Sequence, residues 1–328
     1  MTQAKRAILL LAHGTPETLD DIPEYLKNVT SGRAMPPAVI EEIRHRYGLI
    51  GHSPLTEWTF AQAQQLESVS GLPVFVGMRN WKPYIADTVR QMRKQNVTET
   101  VAICLAPQNS RTSVGLYRRA TYAEAGDAMQ LSFVDAWADH PLLVRAFADM
   151  LAPVYEAAQQ TGVRTAVVFT AHSVPCRTIQ VAAPPVDEGA VAQRAAASAT
   201  PDPYPVEAKL TAALVAAALG IEEWYFAFQS QGMSGGPWIG PTVEDTLRAI
   251  KDSGYSNVVV QPVGFLCDHV EILYDIDIAF RAMAEQIGLR LTRPESLNGS
   301  PTLTAALADL AAGAFRKFAD APAAARAR

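Results

Sequence analysis

Apolar residues in this chain gather into short runs of strand length, separated by longer stretches in which they recur every three or four positions. The short runs at 7–12, 73–77, 100–105, 131–135, 164–171, 223–229 and 258–262, with a weaker one at 290–292, predict strands. The clearest of them, such as 7–12 and 258–260, are apolar without alternation, which is the pattern of parallel strands covered on both faces. The helical period predicts helices at 22–29, 38–47, 57–69, 85–95, 114–125, 141–160, 205–219, 243–253, 269–287 and 302–318. Alternating strands and helices imply parallel sheets joined by right-handed crossovers. Half of the strands fall before residue 160. The expected fold is therefore α/β, with two Rossmann-like, doubly wound domains, each built on a four-stranded parallel sheet, and a cleft between them. The expected boundaries are 1–160, 161–300, and a final helix with a frayed tail over 301–328.

Two of the strand runs end in nearly the same residues. One passes into Ala12-His13-Gly14-Thr15-Pro16 and the other into Ala171-His172-Ser173-Val174-Pro175. Ligands of open α/β sheets bind at the carboxyl ends of the strands, so two histidines half a chain apart are expected at one cleft. Punctuation elsewhere is readable. Asp20 or Asp21 is placed to cap the helix carrying Pro23, and Ser300-Pro301 to open the last helix. Residues 181–205, rich in Ala, Pro and Asp, read as an excursion, and 320–328 as a frayed end.

Composition narrows the classes. The chain has 328 residues, 49% of them apolar, and a net charge of −5, which suits a large buried core. No basic block points to nucleic acid or to an anionic membrane surface. No apolar stretch is long enough to cross a bilayer, and the run after Met1-Thr-Gln-Ala-Lys-Arg6 is too short for a signal sequence. Cys104, Cys176 and Cys267 are odd in number and scattered. That argues against a disulfide framework and for a reducing cytoplasm. Neither G-x-G-x-x-G nor a P-loop follows a strand, so a nucleotide is not expected.

The candidate chemistry lies at the strand ends. His172 leaves its strand toward the cleft, where an imidazole can accept a proton or bind a metal. Asp268, Glu271 and Asp275 follow the run at 258–262 with i, i+3 and i+7 spacing. On a helix they would form one line of carboxylates. Either a divalent cation compensates that line, or Asp268 caps the helix while Glu271 and Asp275 face water. His13, beside Gly14, is either a ligand-facing residue or a turn residue. Trp81, Trp137, Trp224, Trp238, Tyr117 and Tyr122 either wall an aromatic ligand or belong to the core. Arg33, Arg46, Arg79, Arg111, Arg118 and Arg119 either hold carboxylates or lie on solvated helix faces.

Taken together, the motifs resemble those of the ferrochelatases. They run in order through Ala12-His-Gly-Thr-Pro16, Gly32-Arg33, Arg46-Tyr47, Gly51, Ser53-Pro54-Leu55, Gly77-Met-Arg-Asn-Trp81, Leu105-Ala-Pro107, Ala171-His-Ser-Val-Pro175, Gln229-Ser230, Pro237-Trp-Ile-Gly-Pro241, Pro262-Val-Gly-Phe265 and Asp268-His-Val-Glu-Ile-Leu-Tyr-Asp275. The short segment 29–55 is most like the coproporphyrin branch. The resemblance implies a lyase that inserts Fe²⁺ into coproporphyrin III to give coproheme in haem biosynthesis. It implies a cytoplasmic monomer without an organic cofactor or a stable membrane anchor, which passes its product to a downstream enzyme. It further implies that His172 and Glu271 are catalytic, with His172 a neutral base, and that both bind the metal together with Asp275. His13, Arg33, Arg46, Ser53, Arg111 and Tyr117 would contact the porphyrin.

Departures from the family pattern sharpen these expectations. His13 stands where well-known members have Tyr, so an imidazole would be the axial ligand of the product iron. Thr30-Ser31 replaces a pair of arginines that contacts propionates in some members. Ala279 interrupts an extension of the acidic line. Three scattered cysteines cannot supply the four that hold a 2Fe–2S cluster in some relatives. The competing readings are a protoporphyrin IX ferrochelatase, a cobalt chelatase of another tetrapyrrole, and a non-catalytic haem carrier.

Overall fold

A computed structural model describes residues 4–126, 129–179, 201–232 and 237–320. Most of the expected excursion at 181–205 lies outside the described residues, as do 321–328 of the expected frayed end. Strands β1 (Arg6–Ala12), β2 (Val74–Met78), β3 (Glu99–Cys104) and β4 (Gln130–Val134) form one sheet in the order β2-β1-β3-β4. Strands β5 (Thr165–His172), β6 (Tyr225–Gln229), β7 (Asn257–Pro262) and β8 (Arg290–Thr292) form a second in the order β6-β5-β7-β8. Every pairing is parallel. The two halves share one topology, as the repeated strand ends suggested, and β1 and β5 hold equivalent places in it.

Residues Ala7 to Ala12 of β1 are all buried. Helices on both sides of the sheet account for the unbroken apolar run. One core joins the halves: Leu10 and Ile103 of the first sheet, Val167 and Phe169 of the second, and Phe147 and Leu151 of the helix Pro141–Gln160 belong to it. The last helix (Pro301–Asp320) returns to the first half. It brings Leu303 and Leu307 to the same core and packs on the helices Pro141–Gln160 and Leu55–Ser70 and on β3 and β4. Its start is as expected, with the Leu303 amide donating to Ser300 Oγ at 3.3 Å.

Three local readings are corrected. Asp21 does not cap the helix Ile22–Val29; its carboxylate accepts from the amide and hydroxyl of Thr18 at 2.9 and 2.8 Å, closing the preceding turn. Residues 201–205 are not an excursion: Asp202 and Tyr204 are buried, and Asp202 accepts from the Tyr204 and Arg111 amides at 3.0 and 2.9 Å. The helix expected at 269–287 is not uniform. Val270–Leu273 and Arg281–Gln286 are α-helical, and Asp275–Phe280 between them is a π-helix. There the Ala279 amide donates to the Tyr274 carbonyl five residues back, at 2.9 Å. The extra residue in that turn changes which side chains share a face, a device often found at functional sites.

Gly14, just past β1, has φ +84°, and a Cβ there would lie 2.8 Å from the Trp81 amide nitrogen. The position needs glycine for both conformation and space. Gly14→Ala is expected to cost about 1–3 kcal/mol of stability, read as a lower denaturation midpoint at unchanged m-value. An unchanged midpoint would contradict the close approach.

Candidate active site

In each sheet the chain leaves the first strand toward one side and later crosses to the other. The loops after β1 and β3 therefore diverge, as do those after β5 and β7, and each pair opens a crevice at its switch point. Residues from all four loops line one cavity of about 330 Å³. A wider depression of about 660 Å³ runs along β8, lined by Arg281, Glu285, Arg290 and Arg293. It includes neither strand-end histidine.

The two histidines in the cavity share one local geometry. His13 Nδ1 lies 3.1 Å from the Gly14 carbonyl, and His172 Nδ1 contacts the Ser173 carbonyl. A carbonyl can only accept, so each Nδ1 carries the proton and donates to the next residue's C=O. The Nε2 atoms then decide the chemistry. His172 Nε2 lies 3.4 Å from Glu271 Oε1. With Nδ1 already protonated, a neutral ring would aim a lone pair at a carboxylate, so protonation of Nε2 is favoured. Burial disfavours the charged ring, but Glu271 outweighs it and raises the His172 pKa above 6.5. Burial likewise opposes ionisation of Glu271, yet His172 and then His269, whose Nε2 is 3.7 Å from Oε2, hold it well below the carboxylate range. Geometry and charge therefore favour the imidazolium–carboxylate form of the pair over a neutral His172.

His13 has no such carboxylate. Asn80 Nδ2 lies 2.9 Å from its Nε2, and the Tyr25 hydroxyl 3.2 Å from Nδ1. The ring is exposed to the cavity while protein surrounds the residue elsewhere, and that burial lowers its pKa to about 4. His13 is therefore neutral near pH 7.

Behind Glu271 the acidic residues separate. Asp275 is buried and in contact with the Ser230 hydroxyl. Burial raises its pKa to about 6, with Glu271 adding to the rise, while Ser230 and Arg46 oppose it. Asp268 does not join a line of carboxylates. It precedes the helix, because His269 is extended at φ −163°. Its oxygens accept from Ser296, Asn298 and Arg293 at 2.7, 3.0 and 3.1 Å. Arg293 also grips Asp277 of the π-helix at 2.7 and 2.8 Å. The expected line shrinks to Glu271 and Asp275. Among the described residues no three His, Cys, Asp or Glu side chains converge as a metal cage.

Of the other expected contacts, Ser53 and Tyr117 line the cavity. Ser53 Oγ is buried without a hydrogen-bond partner. Arg33, Arg46 and Arg111 do not line it. Arg33 is exposed on the turn after the first helix. Arg46 sits 2.8 Å from Glu42 and 3.6 Å from Asp275, with its guanidinium over the Tyr274 ring. Arg111 lies 3.6 Å from buried Asp202.

Arg79, which the sequence left undecided among six arginines, does enter the cavity and stacks 6.0 Å from the Tyr117 ring. Burial lowers its pKa. Trp238 also lines the cavity, whereas Trp137 belongs to the core.

The sequence offered no role for Asn80 or for buried Gln229, although both stand in quoted motifs. Gln229 accepts from the Thr170 hydroxyl at 2.7 Å and donates to the Glu271 carbonyl at 2.8 Å, tying the helix start to the sheet. Gln108 was equally silent. Its amide spans the halves to the Val263 carbonyl at 2.9 Å.

The Glu271 pairing has a direct readout. The His172 imidazole should titrate by NMR with a midpoint above 6.5, and Glu271→Gln should move that midpoint down, because it removes the charge that favours the imidazolium. An equal midpoint in both proteins would refute the pairing.

A model of the ferrochelatase family, described as "Ferrochelatase", matches residues 5–314. A protein of Acidobacterium capsulatum named ferrochelatase is 61% identical over 311 residues, covering 94% of each chain. A protein of Geobacillus thermodenitrificans named coproporphyrin III ferrochelatase is 33% identical over 98% of this chain and 99% of its own. The solved sirohydrochlorin chelatase SirB of Bacillus subtilis, in complex with cobalt, shares the fold with a TM-score of 0.55 at 12% identity, over 95% of this chain and 96% of its own. With its two matching sheets and a cavity fed by both, the chain belongs to the ferrochelatase family.

Proposed function

We propose that this protein inserts Fe²⁺ into coproporphyrin III to form coproheme in haem biosynthesis. The observation that carries the reading is the His172–Glu271 pair set in the same cavity as the neutral His13. Metallation replaces two pyrrole N–H protons by one divalent ion, so the site must take up protons as iron enters. In this reading iron meets the carboxylate of Glu271. Its positive charge there lowers the His172 pKa, so the part-exposed imidazolium gives its Nε2 proton to solvent and the neutral ring can then accept one from a pyrrole N–H. Asp275, with a pKa of about 6, stands behind as the next proton acceptor. No electron or chemical group is transferred, so no organic cofactor or iron–sulfur cluster is assigned; iron is a substrate.

The choice of coproporphyrin rests on several features. Relatives named coproporphyrin III ferrochelatase match almost the full chain. Arg79 makes no ion pair among the described residues and faces the cavity, and Ser53 offers an unsatisfied hydroxyl. Both suit propionate carboxylates. Arg46 and Arg111, held by Asp275 and Asp202, are assigned instead to bracing the cavity wall. Among the described residues no helix is long and apolar enough to cross a membrane. We assign a cytoplasmic monomer that passes coproheme to a later enzyme of the route; three free cysteines fit a reducing compartment.

Two experiments test the reading. His172→Ala and Glu271→Gln are each expected to lower anaerobic Fe²⁺ insertion by about 10²-fold or more, with coproheme binding and thermal midpoint retained. Near-normal turnover in either variant would remove the pair from catalysis. In the unaltered protein, kcat/KM should be higher for coproporphyrin III than for protoporphyrin IX. The reverse order would assign the protoporphyrin branch, and preferred cobalt insertion into another tetrapyrrole would overturn the iron assignment.

A further inference from the structure

His13 and His172 are matched at Nδ1 and differ at Nε2. Asn80 follows β2 and is 1% exposed. Its backbone amide donates to the His13 carbonyl at 2.9 Å, and its own carbonyl accepts from Asn28 at 3.2 Å. The side chain is therefore held against His13 by its own backbone. Its Nδ2 reaches His13 Nε2 at 2.9 Å, while Nδ1 is committed to Gly14. A neutral imidazole bonded this way has one lone pair, on Nε2, and the Asn80 N–H already occupies it.

We propose that Asn80 sets how firmly His13 holds a metalloporphyrin, because a metal binds the His13 Nε2 lone pair only by displacing the Asn80 hydrogen bond. This rests on the reading of the cavity as a porphyrin site. The device keeps the imidazole oriented and weakens its grip on the metal, so the product stays dissociable. It acts only when a metal is present. A metal-free porphyrin makes no demand on Nε2 and leaves the Asn80 bond intact.

The test uses Asn80→Leu, close in volume but without a donor, and Asn80→Ala. Each is titrated with coproheme by Soret absorption and with metal-free coproporphyrin III by fluorescence. Both variants are also made in a His13→Ala background. Losing one neutral hydrogen bond to the competing lone pair predicts a coproheme Kd about three- to tenfold lower. It also predicts a larger histidine-ligated fraction in the spectrum, unchanged affinity for the metal-free ligand, and no effect of Asn80 once His13 is absent. Equal tightening of both ligands, an effect that survives in His13→Ala, or unchanged or weaker coproheme binding would overturn the proposal. So would loss of both ligands in both variants, which would show Asn80 supporting the fold. Failure of the unaltered protein to bind metal-free coproporphyrin III would overturn the functional reading itself, and this inference with it.

Discussion

The site depends on one constraint repeated in both halves: each strand-end histidine gives its Nδ1 proton to the carbonyl of the next residue. That bond fixes the tautomer and leaves a single nitrogen to face the rest of the protein. A carboxylate placed there favours the imidazolium, whereas a primary amide brings no charge and burial keeps the ring neutral. Glu271 and Asn80 are those two partners. Two similar strand ends thus acquire different chemistry from the partner each Nε2 meets.

Holding the partners to this accuracy is the work of the surrounding fold. Parallel strands bring all the loops out at one edge, and the switch points decide which loops diverge. Gln229 ties the Glu271 backbone to β6, while Gln108 and Gln62 reach across the halves to the Val263 and Asn298 carbonyls. The π-helix sets Asp275 and Asp277 on different partners, Ser230 and Arg293. The glutamine struts and Asp275 are buried polar groups that are costly to leave unpaired. Shifting one half against the other would therefore break several at once. The shared apolar core and the returning last helix add to that rigidity.

Much of this was legible in the chain. Apolar runs without alternation identified parallel strands, and the repeated Ala-His-x-x-Pro located both histidines at strand ends. The ordered motifs pointed to the family. The arginines were not legible. Arg33, Arg46 and Arg111 stand in suggestive positions, yet it is Arg79 that enters the cavity. Charge alone does not say which guanidinium a neighbouring carboxylate has already taken. Asp268 misled for a related reason. Its spacing from Glu271 assumed one continuous helix, and the chain is extended at His269, so Asp268 turns to Ser296, Asn298 and Arg293 instead.

By itself the sequence determined the two α/β halves, the strand-end placement of His13 and His172, and the family. These follow from local periodicity and from residues close together in the chain. Only the tertiary structure decided which partner each histidine meets, the division of the acidic residues, and the placement of Asn80, Gln229 and Arg79. Those depend on partners tens to hundreds of residues away: Asn80 lies 67 residues from His13, and Gln229 lies 42 from Glu271. A hydrogen-bond partner at that separation leaves no periodic trace. It is chosen when the sheets close around the cavity and each buried donor must find an acceptor.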